Sequence, residues 1–135
     1  MGPTTFEGKP ERFERWQELI IALAAASPNV VMKVGGIQMS VNGFGLSEAE
    51  RGAKGLLPIG SEELCALTLP YYGFVIDAFG CDRCMVESNF PVDRISVSSN
   101  VFWNCMKRVA TAKGLSAAQK TQLFSGTANR VYKLK

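Results

Sequence analysis

This 135-residue sequence predicts an α/β fold: two parallel strand–helix units followed by C-terminal helices. Two short apolar runs, residues 30–34 and 83–87, are bounded by turn-forming residues and have the length of buried strands. Longer segments around them carry apolar residues at three- and four-residue spacing, the period of a helix packed on one face. Helices and strands alternate, and that alternation favours parallel pairing.

The first eight residues are rich in Gly, Pro and Thr and read as a loop. From Pro10 to Ala26, the residues Phe13, Trp16, Leu19, Ile20 and Leu23 recur in helical register, and Pro10 suits a first turn. Ser27, Pro28 and Asn29 stop this helix. Val30-Val31-Met32-Lys33-Val34 then reads as a buried strand ended by Gly35 and Gly36. Residues 37–60 contain five glycines and no sustained period, and loops of that length usually cover a site or move. Ser61 with Glu62 and Glu63 predicts a capped helix running to Phe79, bent at Pro70 and closed by Gly80. The second strand covers residues 83–87. Val101, Phe102, Cys105, Met106 and Val109 mark a helix over residues 98–113, closed by Gly114. Ser116 caps a short helix over 117–124, and residues 127–134 form a last helical turn. Trp16 and Trp103 lie on apolar helix faces and are expected in the core.

Two parallel strands do not make a stable sheet alone, and parallel strands normally lie in sheets covered on both faces. The expectation is therefore a third strand hidden in the loops, association with a copy or a partner, or membership of a larger fold.

Composition narrows the function classes. With 47% hydrophobic and 20% charged residues the chain reads as soluble and globular. Its longest apolar run, residues 19–26, is far below the ~20 residues needed to cross a bilayer. No secretory pattern is present, and Met1-Gly2 lacks the hydroxyl residue myristoylation requires at position six, where Phe6 stands. A cytoplasmic location without membrane partners is the expectation. The net charge of +3 is mild, with only a loose basic group at Arg130, Lys133 and Lys135. Without a basic stripe, nucleic-acid binding is not expected.

Cys81 and Cys84 form a Cys-x-x-Cys. Redox pairs of this spacing sit at a helix start, where the dipole lowers the thiol pKa; this one leads into a strand. A zinc site needs four ligands, and the chain has no histidine. Small apolar residues at a strand entrance are the preferred reading, with a redox protein as an alternative.

The segment Ala78-Phe79-Gly80-x-Asp82-Arg83-Cys84-Met85-x-Glu87-Ser88-Asn89-Phe90-Pro91-Val92-Asp93 resembles the last-strand region of the amidohydrolase-related family. These are predicted metal-dependent hydrolases of TIM-barrel fold, relatives of aminocarboxymuconate-semialdehyde decarboxylase and of dicarboxylate lactonases. Pro28 to Gly36 is similar to the penultimate barrel strand, Val41-Asn42-Gly43-Phe44-Gly45 to the loop after it, and Gly126 to Tyr132 to the C-terminal helix. The resemblance implies that residues 1–135 form a single partial domain, the C-terminal part of a (β/α)8 barrel. It implies a parent activity of amide, ester or lactone hydrolysis, or a related decarboxylation, on a small carboxylated substrate. It also implies a divalent, zinc-like metal held by histidines on earlier strands and by an aspartate after the last one. Those histidines are absent, and Asn89 stands where the aspartate is expected. No metal ligand is therefore assigned in this chain, and the lone chain is not expected to turn over substrate. Another chain or a missing N-terminal half would supply the rest; a non-enzymatic half-barrel held as a homo-oligomer is the alternative.

Within the segment, Glu87 and Asn89 are two apart on a strand and share one side. They are the candidate catalytic residues, because barrel chemistry gathers at the C-terminal strand ends. Lys33, Gly35, Gly36 and Asp93 are candidate substrate contacts. Each also has a plainer role: Lys33 as an ion pair with Glu87, the glycines as a turn, and Asp93 as a cap on the segment after it.

Overall fold

The computed structural model describes residues 8–134. The expected N-terminal loop, apart from Gly8, and the pattern at Met1, Gly2 and Phe6 lie outside the described residues, as does Lys135. The elements are α1 (Pro10–Ala26), β1 (Met32–Val34), α2 (Glu48–Gly52), α3 (Ser61–Phe79), β2 (Cys84–Val86), α4 (Ser99–Ala112), α5 (Ala117–Thr121) and α6 (Thr127–Tyr132). Short 3₁₀ turns at Ser40–Asn42 and Val92–Ile95 follow the two strands, and a π-helical turn, Gln122–Gly126, joins α5 to α6.

The strands pair in parallel, Met32 opposite Cys84, Lys33 opposite Met85 and Val34 opposite Val86. Both are shorter than their apolar runs. Val30 belongs to the turn after α1, donating its N–H to Ser27 O at 3.0 Å. The ladder does extend past the strand ends, with Met32 N bonded to Arg83 O at 2.8 Å and Glu87 N to Val34 O at 3.1 Å.

A single core lies between the strands and helices α3 and α4. Leu64, Tyr72, Ile76 and Phe79 of α3 meet Phe102, Cys105, Met106 and Val109 of α4, and Val34 and Cys84 join them from the sheet. The helical spacing of α4 thus faces the core as its pattern predicts. Trp16 and Trp103 are only partly buried at the margin of this cluster. In α1, Trp16 and Ile20 reach the core while Leu19 and Leu23 stay 52% and 41% exposed. Half of that helix's apolar stripe therefore has no cover among the described residues.

Two side chains tie the layers together. Arg83 donates to Phe79 O at 3.1 Å and to Ala24 O at 3.0 Å, so one guanidinium serves the carboxyl ends of α3 and α1. Positive charge is favoured there because the last carbonyls of a helix lack partners. Thr127 Oγ1 donates to the carbonyls of Cys81 and Asp82, both at 3.1 Å, which seats α6 against the entrance to β2.

Two local expectations are corrected. Ser61 is the first residue inside α3, not its cap; Gly60 holds the cap position, and Ser61 Oγ accepts from Arg108 Nε at 3.2 Å. Residues 37–60 are not structureless, because α2 forms there behind a capping box: Ser47 Oγ accepts from Glu50 N at 3.2 Å, and Glu50 Oε2 accepts from Ser47 N at 3.2 Å.

All four cysteines are free and buried. Burial raises every thiol, Cys84 to about 12 and Cys105 to about 11, with Cys65 and Cys81 moved in the same direction. A reactive dithiol needs the opposite shift, so the redox alternative is not favoured. No described helix is long and apolar enough to cross a membrane.

Arg51 holds the long loop down. Its side chain forks onto Glu63, with both N···O distances 3.0 Å, and donates Nε to Leu57 O at 2.6 Å. Replacing it with methionine keeps the stem but removes all three bonds. R51M should make residues 48–58 a preferred site of limited proteolysis while cleavage elsewhere stays unchanged, as read by mass spectrometry of the fragments.

Candidate active site

Both strands run the same way, so the segments leaving β1 and β2 emerge at one end of the sheet. Glu87, Asn89, Gly35 and Gly36 meet there. A Cβ on Gly35 would lie 1.9 Å from Glu87 O and 2.8 Å from Glu87 Oε1. One on Gly36, whose φ is 74°, would lie 3.3 Å from the same carboxylate oxygen. The glycines therefore make room for the chain's own glutamate: a side chain at Gly35 is excluded by backbone, not by a flexible tip.

The carboxylate of Glu87 is turned back on its own chain. Its Oε2 accepts the N–H of Asn89 at 2.6 Å. Asn89 adopts a left-handed conformation, φ 54°, which asparagine tolerates better than most residues. Its Nδ2 donates to Asp93 Oδ1 at 2.8 Å, and Asn42, from the segment after β1, donates to Ile37 O at 3.1 Å. Glu87, Asn89 and Asp93 thus form one bonded series.

Asp93 does not cap a helix with its side chain. It is fully buried, and its Oδ2 has no hydrogen-bond partner. Burial raises its pKa, and the nearby Glu87 charge adds to that, against a lowering by the Asn89 bond. Nearby, Tyr72 donates its hydroxyl to Gln38 Oε1 at 3.1 Å, and Gln38 Nε2 is also buried without a partner. Burial pushes the Tyr72 phenol far above its ordinary value. Gln38 and Tyr72 were not anticipated. Tyr72 carried only a helical core signal, and Gln38 stood in a loop without pattern.

Lys33 is not part of this group. It is exposed and makes no ion pair with Glu87. The pairing was expected for a lysine in a covered sheet. The sheet's face at Lys33 is open among the described residues, so water solvates the ammonium and no carboxylate is required.

The metal implied by the resemblance does not fit the residues present. Zinc sites draw on histidine nitrogen, cysteine sulfur and carboxylate oxygen, usually three or four together. The chain has no histidine, the cysteines lie in the core, and no group of three His, Cys, Asp or Glu among the described residues could hold an ion. Asn89, already bonded through Nδ2, offers only a neutral amide oxygen.

Residues 5–134 match the family described as Amidohydrolase. The chain belongs to the amidohydrolase family. It is 34% identical over 125 residues to the uncharacterized protein y4mH of Sinorhizobium fredii, an alignment covering 93% of this chain and 35% of that protein. The fold is similar to an amidohydrolase from Burkholderia multivorans solved with bound HEPES: TM-score 0.70, 28% identity, 96% of this chain and 40% of that one. A second crystal form of that amidohydrolase, with bound Zn, gives TM-score 0.66 and 30% identity over 90% of this chain and 38% of that one. The chain spans between a third and two fifths of the length of the proteins it matches.

Two substitutions test the geometry. G35A should cost about 3 kcal/mol or more in urea unfolding, because backbone must move to admit the methyl group. G52A, where nothing lies within 4 Å of the added Cβ, should be neutral to slightly stabilising.

The Asp93 shift has a sign. Where its native pKa exceeds the unfolded one, the folded chain holds a proton that the unfolded chain releases, so stability falls as pH rises between the two values. Asp93 therefore contributes most on the acid side, and its contribution is lost as pH rises from the ordinary aspartate range through the raised native value. N89D places a second carboxylate against Asp93 in place of a donor. It should cost about 1–3 kcal/mol at pH 7 and clearly less at pH 4, measured by denaturant titration at both.

Proposed function

We propose that this chain is the C-terminal part of an amidohydrolase-type (β/α) barrel, residues 1–135 forming a single partial domain. In this reading it supplies one corner of a site that hydrolyses an amide, ester or lactone of a small carboxylated substrate, or decarboxylates a related one. The observation that carries the reading is where the bonded series lies: Glu87, Asn89 and Asp93 follow the C-terminal end of a parallel strand, where barrel enzymes keep their chemistry. Glu87 is the acid–base candidate. Asn89 cannot accept a proton from water, so its part is to hold the turn and Asp93 in place.

The unfinished sheet supports completion by further strands. Met32 N and Val34 O point to β2, so the N–H and C=O of Lys33 point to the opposite edge, where no described strand pairs. Beside that edge lies an apolar groove of about 280 Å³ formed by Trp16, Ile20, Met32, Ile37 and Tyr71. Covering Leu19 and Leu23 as well would contribute about 1.5–3 kcal/mol each. Strands from a longer polypeptide satisfy these demands, and so does a second copy of the chain; a homo-oligomer is the second reading.

The decisive measurement is a chimaera in which this chain replaces the matching segment of the Burkholderia multivorans amidohydrolase. It should fold as the parent does and hydrolyse a lactone or aryl ester from a screening panel. E87Q in the chimaera should lower kcat by about 10²–10⁴-fold. The lone chain should show no turnover, and turnover by it, or an unaffected E87Q chimaera, defeats the assignment. Light scattering on the lone chain separates the second reading, which requires a stable oligomer.

A further inference from the structure

The paired residues of β1 end at Val34, so Gly35 and Gly36 lie past the ladder. Adjacent glycines are the most permissive backbone a chain can offer, and Gly36 sits at φ 74°. Yet Gly36 is the wall against which the bonded series rests. Its Cβ position lies 3.3 Å from Glu87 Oε1 and 3.6 Å from both Cγ and Nδ2 of Asn89. A wall made of free glycine would let the carboxylate move, so its support must come from outside the two glycines.

That support reaches one peptide group from both sides. The C=O of Gly36 and the N–H of Ile37 belong to the same planar unit, so holding either end restrains the whole. On the carbonyl side, Asn42 Nδ2 donates to Gly36 O at 3.4 Å and to Ile37 O at 3.1 Å. The 3₁₀ turn Ser40–Asn42 delivers this side chain, with Asn42 N bonded to Met39 O and Gly43 N to Ser40 O, both at 2.9 Å. On the amide side, the Ile37 N–H lies close enough to the Tyr72 oxygen to moderate the rise that burial gives this phenol. The same hydroxyl donates to Gln38 Oε1 at 3.1 Å. Tyr72 is 3% exposed and packed in the core, so the anchor it provides is rigid.

We propose that Tyr72 and Asn42 are positioning residues, which pin the Gly36–Ile37 peptide from its two sides and so hold the Glu87 carboxylate in place. Their effect passes through Gly36, the residue that lies against Glu87 Oε1. The proposal rests on the acid–base role proposed for Glu87 and names what keeps that carboxylate aimed. Loss of aim lowers the rate of the chemical step more than it weakens substrate binding.

The first measurement uses the lone chain and needs no turnover. The Asn89 N–H, 2.6 Å from Glu87 Oε2, should give a strongly downfield amide proton in NMR. Y72F keeps the ring in the core and removes only the hydroxyl, while N42A removes the carbonyl pin at a half-buried position. Each should move the Asn89 amide proton upfield. In an E87Q background neither should move it further, because the carboxylate they aim is gone. In the chimaera, Y72F and N42A should each lower kcat about tenfold with KM within about twofold, and neither should add to the loss caused by E87Q. A side chain that only stabilises the fold would act equally with and without Glu87.

An Asn89 amide that ignores both variants, or responds equally in the E87Q background, overturns the proposal. So does an active chimaera whose kcat is indifferent to Y72F and N42A. A chimaera that hydrolyses nothing defeats the hydrolase reading instead, and the NMR result still decides whether the two side chains hold Glu87.

Discussion

The contact on which the rest of this molecule depends is the one between Gly35 and Glu87. The two strands are three residues each, and their pairing ends where Glu87 N reaches Val34 O at 3.1 Å. Past that point the β2 segment folds back over the end of β1, and it does so only because Gly35 has no side chain. Tight passage there places Glu87 Oε2 on Asn89 N, which in turn sets Asn89 in its left-handed conformation and brings Nδ2 to Asp93. A missing methyl group just past one strand thus makes room for the series of three polar side chains that follows the other.

Much of this was legible in the order of the residues. Helix α1 has the bounds its spacing and Pro10 predict, and the apolar face of α4 is the one its pattern marks. Glu87 and Asn89 were expected to share one side of a strand, but both lie past the end of β2. Asn89 is left-handed at φ 54°, and the two are joined by the Asn89 N–H on Glu87 Oε2. What failed, failed for local reasons. Lys33 was assigned a carboxylate because a covered sheet was assumed, and on its side the sheet is open. Ser61 looked like a cap because serine usually is, yet Gly60 takes that position and Ser61 turns to Arg108. Helix α2 was hidden by its glycines, although Ser47 and Glu50 stand at capping-box spacing. The partnership of Gln38 with Tyr72 joins residues 34 apart, beyond the reach of any periodic signal.

The same openness that frees Lys33 explains the uneven burial of α1. An apolar stripe covers about one side of a helix, and a packed domain buries that whole side. Here Trp16 and Ile20 are covered while Leu19 and Leu23 are not. Trp16 and Ile20 also line the groove beside the β1 edge that points away from β2. Sheet edge and groove therefore adjoin, and the outer part of the helix stripe is left without cover among the described residues.

Asparagine at position 89 changes what this corner can do. A carboxylate in its place would face Asp93 as a second negative charge in a buried setting, and one of the two would hold a proton at neutral pH. The amide removes that conflict by donating to Asp93 Oδ1, so Asp93 keeps its position with one oxygen satisfied and the other buried behind the turn. The price is chemical: an amide neither takes a proton from water nor binds a cation strongly. In the proposed reading, proton transfer from this corner falls to Glu87, whose carboxylate is already half engaged by Asn89 N. The other oxygen, Oε1, lies against the positions of the two glycines. That oxygen is the one the proposed acid–base role would use, and the room it occupies rests on the small size of Gly35 and Gly36.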